Sequence, residues 1–132
     1  MNWRLENKLN YYSTLVEMWN DWGFPILPIE CLPDRIYVVY DEVNEIDLYA
    51  IPVYVTDSNF AWIGFPTGNK KAPKTSKEGA FKYLLDIIGT TLKYQGFSRL
   101  ITTSLNPKLM KEFEESNFTI NDEGCTFYLK QL

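Results

Sequence analysis

Apolar positions along the chain follow two different periods. Leu5, Leu9, Tyr12, Val16 and Trp19 recur three or four residues apart, which predicts one face of a helix. Gly23 follows as a C-terminal cap and Pro25 forbids continuation. The stretch from Pro25 to Pro33 reads as a proline-punctuated connection. From Arg35 the pattern turns β-branched and aromatic. Residues 35–40 and 45–55 read as strands around a turn at 41–44, with Pro52 marking a bulge or an edge. After a turn at 56–59, residues 60–65 read as a third strand, completing an antiparallel meander.

A polar, lysine-rich loop covers 66–74, and Thr75-x-x-Glu78 has the spacing of a capping box opening a long helix. Ala80, Leu84, Ile88 and Leu92 line one face of that helix, and Gly96 ends it. Residues 98–105 predict a fourth strand. Asn106-Pro107 opens a short helix carrying Leu109, Met110 and Phe113, which closes at Asn117. Residues 118–120, a turn at 121–124 and residues 125–132 predict a closing hairpin. The expected order is α-β-β-β-α-β-α-β-β in a single domain over 1–132, with no repeat or linker. Strand, helix and strand across 60–105 require a parallel pair with a right-handed crossover. The fold class expected is α/β, or α+β in stricter usage: a mixed, mostly antiparallel sheet with helices on both faces.

Charge sharpens this picture. The 13 basic and 17 acidic residues leave a net charge of −4, which argues against a generic nucleic-acid binder. The distribution is uneven: residues 1–65 hold 3 basic and 10 acidic side chains, 66–100 hold 7 and 2, and 101–132 hold 3 and 5. Histidine is absent, which excludes a Ser-His-Asp or Cys-His nucleophile and any His-ligated metal. Cys31 and Cys125 form no C-x-x-C pair and read as small buried hydrophobes, so neither a zinc ribbon nor a disulfide framework is expected. Met1-Asn2-Trp3-Arg4-Leu5-Glu6 lacks the apolar core of a signal peptide, and no apolar run is long enough to cross a bilayer. The expectation is a soluble cytoplasmic protein without nucleic-acid or membrane partners.

The order of elements and their punctuation resemble the GNAT superfamily of N-acetyltransferases over about residues 15–132. The residues carrying the resemblance are Trp62-Ile63-Gly64-Phe65, Gly79, Leu84-Leu85, Gly96-Phe97, Asn106, Phe118 and Tyr128-Leu129-Lys130. The family's first strand has no counterpart in this reading, so the chain looks like a short version, similar to small GNAT-like proteins carried by bacteriophages.

The resemblance implies acetyl-CoA lying between the strands at 60–65 and 98–105. Its pantetheine would pair with the backbone of Ile63, Gly64 and Phe65, as a peptide adds to a sheet edge. Its pyrophosphate would sit at the N-terminus of the long helix, where free N–H groups and the helix dipole favour an anion. Lys74, Ser76, Lys77 and Gly79 would hold the phosphates, with Asn106 near the cofactor. The family's Q/R-x-x-G-x-G/A loop corresponds to Ser76-Lys77-Glu78-Gly79-Ala80-Phe81, where Ser76 replaces Gln or Arg and Phe81 replaces Gly or Ala. A ring at 81 should crowd the pyrophosphate or the strand. Phe113 stands where many members carry a proton-donating Tyr.

Asp57, Ser104 and Tyr128 are the remaining acid–base candidates. Gly79 and Gly89 each have a bland reading as packing glycines, and Lys70, Lys71, Lys74 and Lys77 as a solvated loop. Trp19, Trp22 and Trp62 read as core or groove lining. Two functions follow: acetyl transfer from a coenzyme A thioester to a small amine or protein amine, with direct attack by the amine, or a GNAT-fold binding module that has lost catalysis. A homodimer is left open.

Overall fold

The computed structural model describes residues 1–132. It opens with a strand that the helical reading of Leu5 and Leu9 obscured. β1 (Asn2–Asn7) pairs antiparallel with β2 (Arg35–Asp41), and only then does α1 (Lys8–Trp22) begin. Asn7 is the switch: its side chain accepts the Leu9 N–H at 2.9 Å and caps the helix. The buried face of α1 is accordingly Tyr11, Leu15, Met18 and Trp19, whereas Leu5 and Leu9 are exposed. Gly23, at φ 73°, ends the helix as expected.

The sheet runs β1-β2-β3-β4-β6, with β3 (Ile46–Val55), β4 (Phe60–Ile63) and β6 (Arg99–Thr102). All pairs are antiparallel except β4 with β6, the parallel pair required by the helical crossover. A two-residue strand, β5 (Thr67–Gly68), returns to pair with β3 at Ala50 and Tyr49. Helix α1 covers one face of the sheet over Ile36, Val38 and Ala50. The other face, with Tyr37, Val39, Ile51, Val53, Ala61 and Ile63, packs under α3 (Ala80–Tyr94) and Phe113 of α4 (Pro107–Glu115). Ala80, Leu84, Ile88 and Leu92 form the buried stripe of α3 as the sequence indicated.

Pro52 is not itself a bulge: it lies in regular register opposite Ile36 in a central strand. One irregularity falls instead between Val39/Tyr40 and Tyr49/Asp47, where Leu48 is the extra residue. The shift puts Leu48 and Tyr49 together in the core under α3 and turns Asp47 to the α1 face. There Arg4 donates two hydrogen bonds to the Asp47 carboxylate, both at 2.9 Å, and the Tyr11 hydroxyl donates a third at 2.7 Å. The hydrogen bond from Arg4 to Asp47 drives the guanidinium pKa up. Burial, reinforced by its bond to Asp47, does the same to the Tyr11 hydroxyl.

Three further expectations are corrected. The helix expected from Thr75 is broken: a short α2 (Lys74–Lys77) is followed by Glu78 and by Gly79 at φ 73°, so Thr75 and Glu78 form no capping box. The closing hairpin is absent, since residues 119–132 have no regular structure and are exposed throughout. Cys31 and Cys125 are exposed rather than buried. No helix is long and apolar enough to cross a membrane.

Asp47→Ala leaves the Tyr11 phenol without its acceptor and Arg4 with only Glu6, to which its Nε donates at 2.8 Å, and should destabilise the fold by about 1–3 kcal/mol. Urea unfolding followed by far-UV circular dichroism measures it; a loss within the scatter of surface substitutions would mean the network is incidental.

Candidate functional site

The site begins where β4 leaves the sheet. Ile63 stands opposite Val53 and Thr67 opposite Ala50, so the β4–β5 side carries one residue more than β3 across this stretch. Gly64 and Phe65 make that excursion. The Gly64 N–H donates to Pro52 O at 3.2 Å. N–H and C=O of one residue point the same way in an antiparallel strand, so the N–H that Pro52 lacks is missing on the side where the chain departs. Phe65 takes φ 57°, a left-handed backbone that a bulky side chain seldom adopts. Thr67 secures the return, its hydroxyl donating to Phe65 O while accepting the Trp19 Nε1–H, each at 3.0 Å.

On the other side of β4, β6 stays in register only to Thr102, whose hydroxyl donates to Ile63 O at 3.1 Å. Beyond this pair the two strands part. The Phe65 N–H and the Gly64 carbonyl make no hydrogen bond within the protein. They are the two ends of one trans peptide and point opposite ways, the Gly64 carbonyl with its own N–H towards β3, so the Phe65 N–H is the single donor left for an extended ligand on the far side.

Gly64 is buried, and a Cβ there would lie 2.7 Å from Tyr54 Cε1 and 3.1 Å from the Trp62 ring. Those rings pair across the strands with centroids 4.9 Å apart, and the Tyr54 hydroxyl donates to Cys31 O at 2.8 Å. Burial pushes the Tyr54 hydroxyl up to about 12. Phe65 packs its edge on both rings, at 6.4 and 6.0 Å.

A second feature lies at the start of α3. Gly79 caps the helix with no side-chain acceptor, leaving the first-turn N–H groups to other partners. Its Cβ position meets nothing within 4 Å, as does that of Gly89, so close packing explains neither glycine. The left-handed turn between α2 and α3 accounts for Gly79. Phe81 points away from this helix end. It is buried in the core, edge-on to Tyr49 at 5.2 Å and to Phe113 at 5.5 Å, and crowds neither the N-terminus nor the strand edge. Phe113 continues the stack to Phe118 at 5.2 Å.

Lys77 sits over the Tyr49 and Trp22 rings and donates to Asn69 O at 3.2 Å. Burial, with the positive charges of Lys108 and Lys74 nearby, lowers its pKa. Lys108, on the first turn of α4, is a member of this cluster that the sequence reading missed, because the spacing between α3 and α4 is a tertiary fact. Lys70 and Lys71 point elsewhere: Lys70 donates to Asp21 O and lies over Trp22, and Lys71 pairs with Glu17 and Asp21. Ser76 stands on α2 beside the Asp41 carboxylate.

The remaining candidates divide. Asn106 caps α4, accepting the Lys108 and Leu109 N–H groups, and Ser104 Oγ accepts the Asn106 N–H at 3.1 Å. Both therefore mark the stretch where β6 gives way to α4. Asp57 lies in the turn before Phe60, at the end of β4 away from the parting point. Tyr128, 88% exposed, lies in the irregular C-terminal stretch. Glu112, on α4, has a buried Oε2 without a hydrogen-bond partner, and burial raises its pKa.

No family model and no curated protein matches the chain. Solved structures do match over nearly its whole length, first strand included. A probable acetyltransferase superposes with a TM-score of 0.74 at 14% identity, covering 100% of this chain and 99% of that one. An aminoglycoside acetyltransferase from an uncultured soil metagenomic sample, in complex with sisomicin, gives 0.73 at 13% identity, covering 99% and 96%. An aminoglycoside N-acetyltransferase in complex with CoA gives 0.69 at 14% identity, covering 99% and 100%. The chain thus has the fold of GNAT-type acetyltransferases.

Gly64→Ala should cost about 1–3 kcal/mol, the range for forcing a methyl group into a filled site, because neither anchored ring can move freely; thermal denaturation measures it, and an unchanged midpoint would show the rings to be loose. For Glu112, the folded-state pKa lies above the unfolded one, so its contribution is favourable below about pH 4 and is lost as pH rises through the folded value. Glu112→Gln should therefore stabilise the protein at neutral pH by up to about 1 kcal/mol after solvent screening. The gain should vanish towards pH 4, and a gain independent of pH would contradict the burial of this carboxylate.

Proposed function

We propose that this protein is an N-acetyltransferase that moves an acetyl group from acetyl-CoA to an amine. The observation that carries the reading is the parting of β4 and β6 past Ile63 and Thr102, with the Phe65 N–H unpaired beside it. The pantetheine arm of the donor has the amide spacing to extend such an edge. The uncapped N-terminus of α3, with Lys74, Lys77 and Lys108, supplies positive potential for its phosphates. The acetyltransferase fold of the solved neighbours, one of them holding CoA, supports the same assignment.

Bound there, acetyl-CoA supplies an activated acyl group, and the amine attacks its carbonyl directly as the thiol departs. The protein's part is mainly positioning, since neither 60–65 nor 99–104 contains a carboxylate to act as a strong base. Ser104 lies two residues past Thr102 on the β6 side. It accepts one hydrogen bond from Asn106 and keeps its own proton to give, which suits protonation of the leaving thiolate. Asp57 and Tyr128 are less suited from where they lie.

The competing reading, a binding module without catalysis, draws on Phe113, whose buried ring has no proton to donate. Calorimetry with acetyl-CoA and a free-thiol release assay across an amine panel separate the two. The transferase reading expects both binding and release; binding without release on any amine would establish the module. Lys74→Glu with Lys77→Glu should weaken acetyl-CoA binding about tenfold to a hundredfold and flatten its salt dependence. Unchanged affinity would place the phosphates elsewhere.

A further inference from the structure

We propose that Tyr49 and Glu112 form the floor of the phosphate site at the start of α3, and that Glu112 takes up a proton as the pyrophosphate of the acyl donor binds. The inference rests on the acetyl-transfer reading and adds to it a dependence of donor binding on pH.

Two orphaned polar groups lie beneath that helix end. Tyr49 is 7% exposed, yet its hydroxyl makes no hydrogen bond within the protein, unlike those of Tyr11, Tyr12, Tyr37 and Tyr54. A phenol so placed keeps a proton to donate to something else. Glu112 Oε2 and Ser116 Oγ, one turn apart on α4, are the two buried side-chain polar atoms without a partner, and of these only the first can ionise.

Packing brings Tyr49 and Glu112 together. The Phe81 ring meets Tyr49 on one side and Phe113 on the other, so Tyr49 and the neighbour of Phe113 flank the first turn of α3. The Lys77 ammonium lies 6.0 Å from the centre of the Tyr49 ring. Lys108 stands one turn before Glu112 on the same helix. Above them Gly79 provides no side-chain acceptor, so the first-turn N–H groups of α3 stay open to an anion.

Every member of this cluster but one suits a phosphate. The helix N–H groups, Lys77, Lys108 and the Tyr49 hydroxyl all donate, and Glu112 alone brings negative charge. Two anions in one partly dry space do not both stay ionised. A pyrophosphate diester has no proton to accept near neutral pH, so the carboxyl group takes it, and its O–H then becomes a further donor. The other charges around Glu112 leave this balance in place. Burial already raises its pKa, Lys108 opposes the rise and Glu115 adds to it. Lys74 and Lys77 of α2 lie beyond Lys108, and Lys82 and Asp86 of α3 pair with each other. Strand β3 turns Asp47 and Tyr54 to its opposite face and leaves Tyr49 on this one. Burial raises the Tyr49 pKa, and the Glu112 carboxylate adds to the rise, so the phenol stays protonated as a donor.

The probe is dephospho-CoA, because a phosphate monoester takes up its own proton near about pH 6 and a diester does not. Calorimetry on the whole protein, in buffers of different ionisation heat, gives both the affinity and the protons exchanged. Binding should be about tenfold weaker at about pH 7 than at about pH 5, with a proton taken up from the buffer. Glu112→Gln should lose both dependences and bind more tightly than the native protein at the higher pH. Tyr49→Phe should bind about threefold to tenfold more weakly. Its unfolding midpoint should not fall, because the hydroxyl has no partner in the free protein, so the loss is not a folding defect. The same pH dependence in Glu112→Gln as in the native protein, or unchanged affinity in Tyr49→Phe, would overturn the inference and leave the transferase reading standing. Binding of acetyl-CoA without binding of dephospho-CoA would do the same, whereas failure of both ligands to bind removes the donor reading as well.

Discussion

Past Ile63 the chain can no longer stay paired with β3, because Pro52 offers a carbonyl but no N–H on that side. The rest of the site depends on this constraint. Gly64 takes the one hydrogen bond Pro52 provides, Phe65 turns through a left-handed backbone, and pairing resumes at Thr67 and Gly68. A strand that ran straight on would have left β6 no place to part from it. Backbone groups are thereby freed in the middle of a sheet, where nearly all others are paired. The unfavourable conformation at Phe65 is held by its neighbours: the two bonds of Thr67 behind it and the two rings on which it rests.

A second irregularity serves the opposite end of the sheet. Leu48 as the extra residue of β3 reverses the sense in which Asp47 faces, and only on the α1 side can Asp47 gather Arg4 and Tyr11. The first strand, the first helix and the central strand are joined there by three charge-assisted hydrogen bonds. The two departures from regular pairing divide the labour along β3, one fixing α1 to the sheet and the other turning the chain away where β4 and β6 part.

The general architecture was legible in the sequence because its signals are periodic and local. The stripe of Ala80, Leu84, Ile88 and Leu92 has the helical period, the Asn106-Pro107 cap is complete within four residues, and Asp41 closes its turn by accepting the Val43 and Asn44 N–H groups. What was missed lies where two local signals compete. Leu5 fits a helical spacing with Leu9, yet the pairing of Asn2–Asn7 with β2 outweighs it, and the capping side chain of Asn7 marks the true boundary. Thr75 and Glu78 have capping-box spacing, but Gly79 adopts a conformation that resets the helix one residue later. The alternating apolar residues from Cys125 onward spell a strand, and a strand without a paired neighbour is not one. At the site, the parallel pair and the residues flanking Gly64 were readable. The cluster of Lys77 with Lys108 and the joining of Tyr54 to Trp62 depend on which elements meet in space.

The two phenylalanines that weigh most heavily against function in the sequence take a different meaning in the fold. Phe81 stands at the first turn of α3, but its ring faces inward, so the helix N–H groups remain as accessible as a small residue would leave them. What the ring provides is a partner for Phe113, which in turn meets Phe118. A hydroxyl at position 113 would have to be buried in that stack and would need an acceptor there, whereas a phenylalanine fills the space without one. Substitutions at 81 and 113 are therefore coupled: each ring makes the other favourable, and together they bind α4 to the start of α3. On the proposed transferase reading, the proton for the leaving thiolate would come from the polar residues between β6 and α4. Ser104 and Asn106 are already ordered there by the cap of α4, which the Phe81–Phe113 contact holds in place.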